Sequence, residues 1–88
     1  MEFRWNASNV EHIGKHSIEP AEAEFVVRHA RRPYPEKREN EKFYVAGRTA
    51  AGVYIQVVFI VDPPPVIYVI HARRLNDREK RIYRRRMR

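Results

Sequence analysis

From Phe43 to Ala72 the chain is written as three apolar runs with short breaks between them. That pattern predicts three consecutive β-strands: Phe43 to Arg48, Val53 to Asp62 and Val66 to Ala72. The first break, Thr49-Ala50-Ala51-Gly52, has the length of a hairpin loop, and its glycine is free to take positive φ. The second is Pro63-Pro64-Pro65. Three successive prolines supply no backbone donors and cannot extend a ladder, so they form a connection, one that favours an antiparallel meander. Nearly every position in VYIQVVFIV and VIYVIHA is apolar, as expected of strands that are central or covered on both faces. Period-two alternation puts His71 with Ile67 and Val69, opposite Tyr68 and Ile70. There it is either an inward residue satisfied by the backbone or a rim residue close to Arg73.

The first thirty residues follow a different period. Glu2 to Trp5 alternates polar and apolar positions, with Phe3 and Trp5 on one side, and reads as a short first strand. Asn6 is a helix N-cap by type. Ala7 to Lys15 then places Val10, Ile13 and Gly14 at helical spacing, and this helix is expected to stop near His16 and Ser17. A second helix begins at Pro20, with Glu22 and Glu24 near its positive end and Arg28 and His29 near its negative end. Its buried stripe is Ala23, Val26, Val27 and Ala30, with Phe25 at the margin.

Residues 31 to 42 combine two prolines with eight charges and are expected to form an exposed loop, from which Tyr34 can pair at a sheet edge. Near the end, Asn76 caps a helix from Asp77 to about Arg86, and Glu79 occupies the reciprocal capping position. Its apolar contacts are Leu75, Ile82, Tyr83 and Met87. No internal repeat is visible, and 88 residues suit one domain, 1–88. The fold class expected is α+β: a short N-terminal strand, two helices, an antiparallel meander and a C-terminal basic helix. The helices cover one face of the sheet, and the other face needs a second cover.

Charge is distributed unevenly over these elements. Arg73 to Arg88 holds nine Lys/Arg against Asp77 and Glu79, which equals the +7 of the whole chain; the other 72 residues balance nine bases with nine acids. Such a concentrated positive field suits a polyanion, most commonly nucleic acid, or an acidic protein surface. The plainer alternative is a solvated charged helix with no particular partner. With no cysteine, disulfides, thiolate metal sites and cysteine catalysis are excluded. The N-terminal residues lack a signal-peptide run and the longest apolar stretch, Val57 to Val61, is too short for a bilayer, so a soluble cytoplasmic protein without a membrane partner is expected.

Three blocks of the chain resemble one protein family. WNASNVEHIGKHSIEPAEAE is similar to the N-terminal signature of the BrnT family of bacterial toxins, Trp-Asp-x-x-Asn-x-x-His-Ile-x-x-His-Gly-Val followed by an acidic helix. YVAGRTAAGVYIQVVF resembles that family's Gly-Arg-Thr hairpin, and VIYVIHARRLNDREKRIYRRR its Ile-Ser-Ala-Arg-x-x-Thr-x-x-Glu-x-x-x-Tyr segment. The chain departs from the pattern at Asn6, where Asp is usual, at Ser17, where Gly is usual, and at His71, where a small hydroxyl residue is common. The resemblance implies a RelE-like fold and a cofactor-free, metal-independent ribonuclease that inhibits translation. It also implies a cognate antitoxin, a BrnA-like ribbon-helix-helix DNA-binding protein that forms a hetero-oligomer with the toxin. The residues it points to are Arg48, Arg73 and Tyr83.

Metal-free RNA cleavage needs a group to take the 2′-hydroxyl proton, another to protonate the leaving 5′-oxygen, and cations for the phosphorane. Arginine suits the last task because its fork can hold two phosphate oxygens. Arg48 at the end of one strand and Arg73 after another can approach one rim of an antiparallel sheet, although Arg48 also reads as an ordinary hairpin-flanking cation. Tyr83 either orients the phosphate or anchors the terminal helix. His16 and His71 are the acid–base candidates. His12 and His16, four apart, could also ligate a metal, but no third carboxylate or thiolate ligand is evident, and the expected metal set is empty. Arg74, Arg78, Lys80, Arg81, Arg84 and Arg85 are expected to bind RNA or the antitoxin. The alternatives are a non-catalytic basic nucleic-acid-binding module or degenerate toxin, and a structural subunit of a larger complex.

Overall fold

Residues 1–88 are described by a computed structural model, and the chain has the expected α+β class. Strands β1 (Glu2–Phe3), β2 (Glu36–Lys37), β3 (Phe43–Arg48), β4 (Tyr54–Asp62) and β5 (Val66–Arg74) form one sheet in the order β1-β5-β4-β3-β2. β2 to β5 pair antiparallel, and β1 lies parallel to β5. The three long strands make the antiparallel meander expected, and the short β1, joining parallel to β5, makes the whole sheet mixed. A parallel neighbour needs a long crossover, and everything between β1 and β5 supplies it.

Val45, Val57 and Ala72 meet across the three long strands, with Ile55, Phe59, Ile67 and Val69 buried around them on the same face. Helix α2 (Pro20–Arg28) lays Ala23, Val26 and Val27 on this layer. Close approach depends on Gly47, where an added β-carbon would stand 3.2 Å from Val26 Cγ1. Helix α1 (Ala7–Gly14), capped by Asn6, buries Asn9 and Ile13 and leaves Val10 exposed. The reason is the sheet edge. β1 covers only Val66 and Ile67 of β5, so the Val69 carbonyl lacks a strand partner there; Asn9 Nδ2 donates to it and to Arg4 O, both at 3.1 Å. A buried amide that saturates an edge carbonyl does more for stability there than an apolar side chain could.

Tyr34 does not pair at the sheet edge. Glu36–Lys37 takes that place opposite Phe43 and Tyr44, and Tyr34 is buried against Tyr83 and Tyr44. Residues 31 to 42 are thus not wholly an open loop; they contain β2 and a 3₁₀ turn, Glu39–Glu41. Helix α3 (Asp77–Arg86) starts where predicted: Asn76 Oδ1 accepts from the Glu79 N–H at 2.8 Å, and Glu79 Oε1 accepts from the Asn76 N–H at 2.9 Å. Leu75 is buried, Tyr83 and Met87 are half-buried, and Ile82 stays exposed. Through these anchors α3 covers part of the sheet face opposite α2, and that is the second cover the apolar strands require. No helix is long and apolar enough to cross a membrane.

Candidate functional site

Strict alternation fails at one point in β5, and the failure shapes the site. Val58 pairs with His71 while Phe59 pairs with Val69, so Ile70 is an extra residue in a β-bulge. The bulge keeps both Val69 and Ala72 in the core and turns His71 to the opposite face, beside Arg73. The inward position with Ile67 and Val69 is therefore not the one His71 takes.

Register now gives the α3-side face as rows across the sheet. One row runs Glu36, Tyr44, Val58, His71; the next runs Ala46, Gln56, Arg73; the third holds Arg48 and Tyr54. At the β5 end of the first row stand His12 and His16 of α1 and the residues just after it, with ring centroids 5.8 Å and 5.5 Å from that of His71 and 6.5 Å from each other. The three imidazoles do not form a metal-ligand set. His71 has its pKa lowered, first by burial and then by the nearby His16, His12 and Arg73. Arg38, Lys42 and Tyr44 line a hollow between this cluster and the sheet centre.

Arg73 occupies the second row and is held firmly. Its guanidinium donates to both carboxylate oxygens of Glu79, at 2.9 and 2.7 Å, and to Arg74 O at 3.0 Å. The same carboxylate is the reciprocal cap of α3, so one side chain fixes both the helix start and the arginine. Hydrogen bonding from Arg73, then from the Asn76 N–H, holds the Glu79 carboxyl at about 2, and the Arg73 pKa is raised in return. A parallel pairing closes the far side. Arg86 and Arg38 both donate to Glu36, at 2.8 and 2.7 Å, and lower its pKa, while the Arg86 guanidinium lies 5.2 Å over the Tyr34 ring. Between these pairs is a hollow of about 340 Å³ floored by Ala46 and Gln56 and walled by Tyr34, Ile82 and Tyr83.

The predicted residues divide accordingly. Arg73 and Tyr83 line this hollow, while His71 lines the neighbouring one that shares Arg38 and Tyr44, with His16 beside it. Tyr83 acts as an anchor, stacked on Tyr34 at 6.2 Å and edge-on to Tyr54 at 5.7 Å. Arg48 is not brought to Arg73. It shares their face but lies in the third row, 5.9 Å over Tyr54, whose ring also meets Lys80 and Arg84. Arg74 and Arg78 are exposed. Arg81, Arg84 and Arg85 join Arg88 around a shallow hollow on the outer side of α3, and none of the four forms an ion pair. Sequence reasoning missed Arg38, Arg86 and Gln56. Gln56 had a signal, being the one amide in an otherwise apolar strand; the other two are indistinguishable in sequence from their basic neighbours. No protein-family model matches the chain, and no curated protein matches it.

Proposed function

We propose that this chain is the toxin of a type II toxin–antitoxin pair, a metal-independent ribonuclease that acts on RNA in the bacterial cytoplasm and inhibits translation. The observation that carries the reading is the meeting of His71 and His16 at the edge of the sheet face that also carries Arg73. Cleavage within the chain's own chemistry would run as follows. The RNA 2′-oxygen attacks phosphorus and gives its proton to one imidazole; the bond from phosphorus to the 5′-oxygen breaks, and that oxygen takes a proton from a second imidazole. The products are a 2′,3′-cyclic phosphate and a 5′-hydroxyl. His71, with its lowered proton affinity, is the neutral imidazole suited to the base, and His16 faces it as the acid. Arg73 suits the phosphorane. Phosphate would exchange with Glu79 on a guanidinium already held in place, so little ordering is required.

The BrnT resemblance and the RelE-like fold belong to the same proposal. They gain weight because residues of the three blocks each have a structural task here. Asn9 closes the β5 edge, Gly47 admits Val26, and Thr49 closes the hairpin by accepting from the Val53 N–H at 3.1 Å. Glu79 holds Arg73, and Ser17, at the position where the family carries Gly, has φ 61°, the left-handed region that glycine favours. A BrnA-like antitoxin would inhibit by covering the α3 cations. The test is expression of the chain alone in a bacterium. Growth arrest with degraded RNA is the expected result, relieved by Arg73→Ala; normal growth with intact RNA at good expression would refute it.

A second reading, a non-catalytic nucleic-acid-binding module, is favoured by the four unpaired arginines on the outer side of α3. It predicts salt-sensitive RNA binding with no product.

A further inference from the structure

We propose that the outer side of α3 docks a double-helical stretch of nucleic acid by its phosphates, and that its occupant is the stem of a folded RNA whose single-stranded continuation reaches the sheet face carrying Arg73. The proposal rests on the ribonuclease reading for the single-stranded part and deepens it by adding a second, separate contact with the same substrate.

The chain sorts its cations. On the sheet side each guanidinium of the site is held by a carboxylate, Arg73 by Glu79 and both Arg38 and Arg86 by Glu36. Arg81, Arg84, Arg85 and Arg88 are exposed, line one shallow hollow of about 310 Å³ and have no acidic partner. Helical geometry separates the two sets. Arg81 and Arg85 follow Glu79 and Tyr83 by two residues, about 200° of turn, so they lie on the far side of a helix about 10–12 Å thick. The dipole at a helix C-terminus favours cations. Residues three and four apart are neighbours on a helix, however, and Arg81 and Arg88 each stand at that spacing from both Arg84 and Arg85. Like charges so placed work against the helix, and the cluster adds nothing to the core.

The lining selects the occupant. No apolar or aromatic side chain lines this hollow. A protein interface needs an apolar or aromatic centre, and single-stranded nucleic acid is held by cations together with aromatic platforms. The rings near α3, those of Tyr34, Tyr54 and Tyr83, stand on its inner side. A double helix, with its bases turned inward and its phosphates outward, is the ligand that charge alone can hold. All four cations are arginine, whose fork takes two phosphate oxygens. The basic surface then leads inward. Arg84 also stands 5.7 Å over the Tyr54 ring, which meets Arg48 and Lys80, and that row of the sheet adjoins the one that holds Arg73. A strand leaving the stem finds cations and an aromatic ring along this path.

The test uses the full chain and four probes read by fluorescence anisotropy: a blunt RNA duplex, a DNA duplex of the same sequence, a single RNA strand, and the RNA duplex extended by that strand. The strand carries 2′-methoxy groups, so it has no hydroxyl with which to be cleaved. With about four phosphate contacts, binding of the blunt RNA duplex should weaken roughly a hundredfold between about 50 and 200 mM salt. The extended duplex should bind roughly tenfold or more tighter than the strand alone, because the two contacts are linked, and saturating single strand should leave the blunt duplex bound. Changing Arg81, Arg84, Arg85 and Arg88 to Gln should remove most of the salt dependence of duplex binding and bring the extended duplex to the affinity of the strand alone. Circular dichroism should show the fold retained in that variant, since all four side chains are exposed. A duplex that the single strand displaces, an extended duplex no tighter than the strand, or a gain that survives the four substitutions would overturn the proposal. An RNA duplex bound as tightly as DNA, or more tightly, supports it. A clear preference for DNA would overturn the RNA stem as occupant, and binding of neither duplex would overturn the site and leave this face to an acidic protein. Failure of the ribonuclease reading is a separate outcome: a chain that holds the stem yet leaves an unmodified strand intact retains the docking site and removes the catalysis.

Discussion

Replacing Glu79 by Ala removes two interactions at once, and replacing it by Gln removes mainly one. The carboxylate caps the Asn76 N–H and forms two charge-assisted bonds to Arg73. The cap contributes about 1 kcal/mol. If the fall of the Glu79 pKa from 4.5 to about 2 counted in full, the charged contacts would contribute about 3 kcal/mol. The two side chains are 34% and 26% exposed, however, and solvent screening reduces this to about 1–2 kcal/mol. Glu79→Gln, whose amide oxygen can still serve the cap, is therefore expected to cost about 1–2 kcal/mol, and Glu79→Ala about 2–3 kcal/mol. In a domain of this size each kcal/mol lowers Tm by about 4–8 °C. The folded pKa lies below the unfolded one, so the charged part of the stability is present above about pH 4.5 and is lost as pH falls toward 2. Thermal melts followed by circular dichroism between pH 7 and 2.5 should show Glu79→Gln well below wild type at pH 7 and converging on it at the acid end. A gap of constant width over that range would refute the assignment of a charge-linked role to Glu79.

His71 shifts stability in the same direction as Glu79 but in a higher pH window, since its folded pKa is lowered and protonation opposes folding: stability should fall as pH drops below about 6.5, and His71→Gln should flatten that slope in the same melts. The cleavage rate should rise with pH through the lowered His71 pKa and fall again at higher pH as the imidazole acid loses its proton, a bell-shaped profile. Asn9→Ala leaves the Val69 carbonyl and the Asn6 N–H unpaired and is expected to cost about 2–3 kcal/mol by urea unfolding, whereas Val10→Ala, on the exposed side of the same helix, should cost under about 1 kcal/mol. If the outer arginines track the phosphate backbone, changing Arg81, Arg84 and Arg85 to Ala should reduce the salt dependence of RNA binding by roughly 0.7 in log–log slope per lost contact.

What the sequence made legible was local. Asn76 with Glu79 specifies a helix start within four residues, and Thr49 to Gly52 specifies a hairpin, so both elements appear where the pattern puts them. Features that depend on pairing were not legible. The bulge at Ile70 exists only in the register of β5 against β4, and it reverses the face of His71. Tyr34 is buried because α3, nearly fifty residues later, closes over it, and Asn9 outranks Val10 because β1 is too short to cover β5. In the candidate site, Arg73 was legible as an arginine directly after a buried strand. Its separation from Arg48 was not, because the row spacing follows from strand register.

The most direct measurement of the central claim is incubation of the purified chain with single-stranded RNA at neutral pH in the presence of a chelator, followed by analysis of the fragment ends. The account predicts fragments that end in a 2′,3′-cyclic phosphate from the wild-type chain, and none from a folded Arg73→Ala protein. RNA that stays intact on prolonged incubation, while still binding the chain in a salt-sensitive manner, would contradict it.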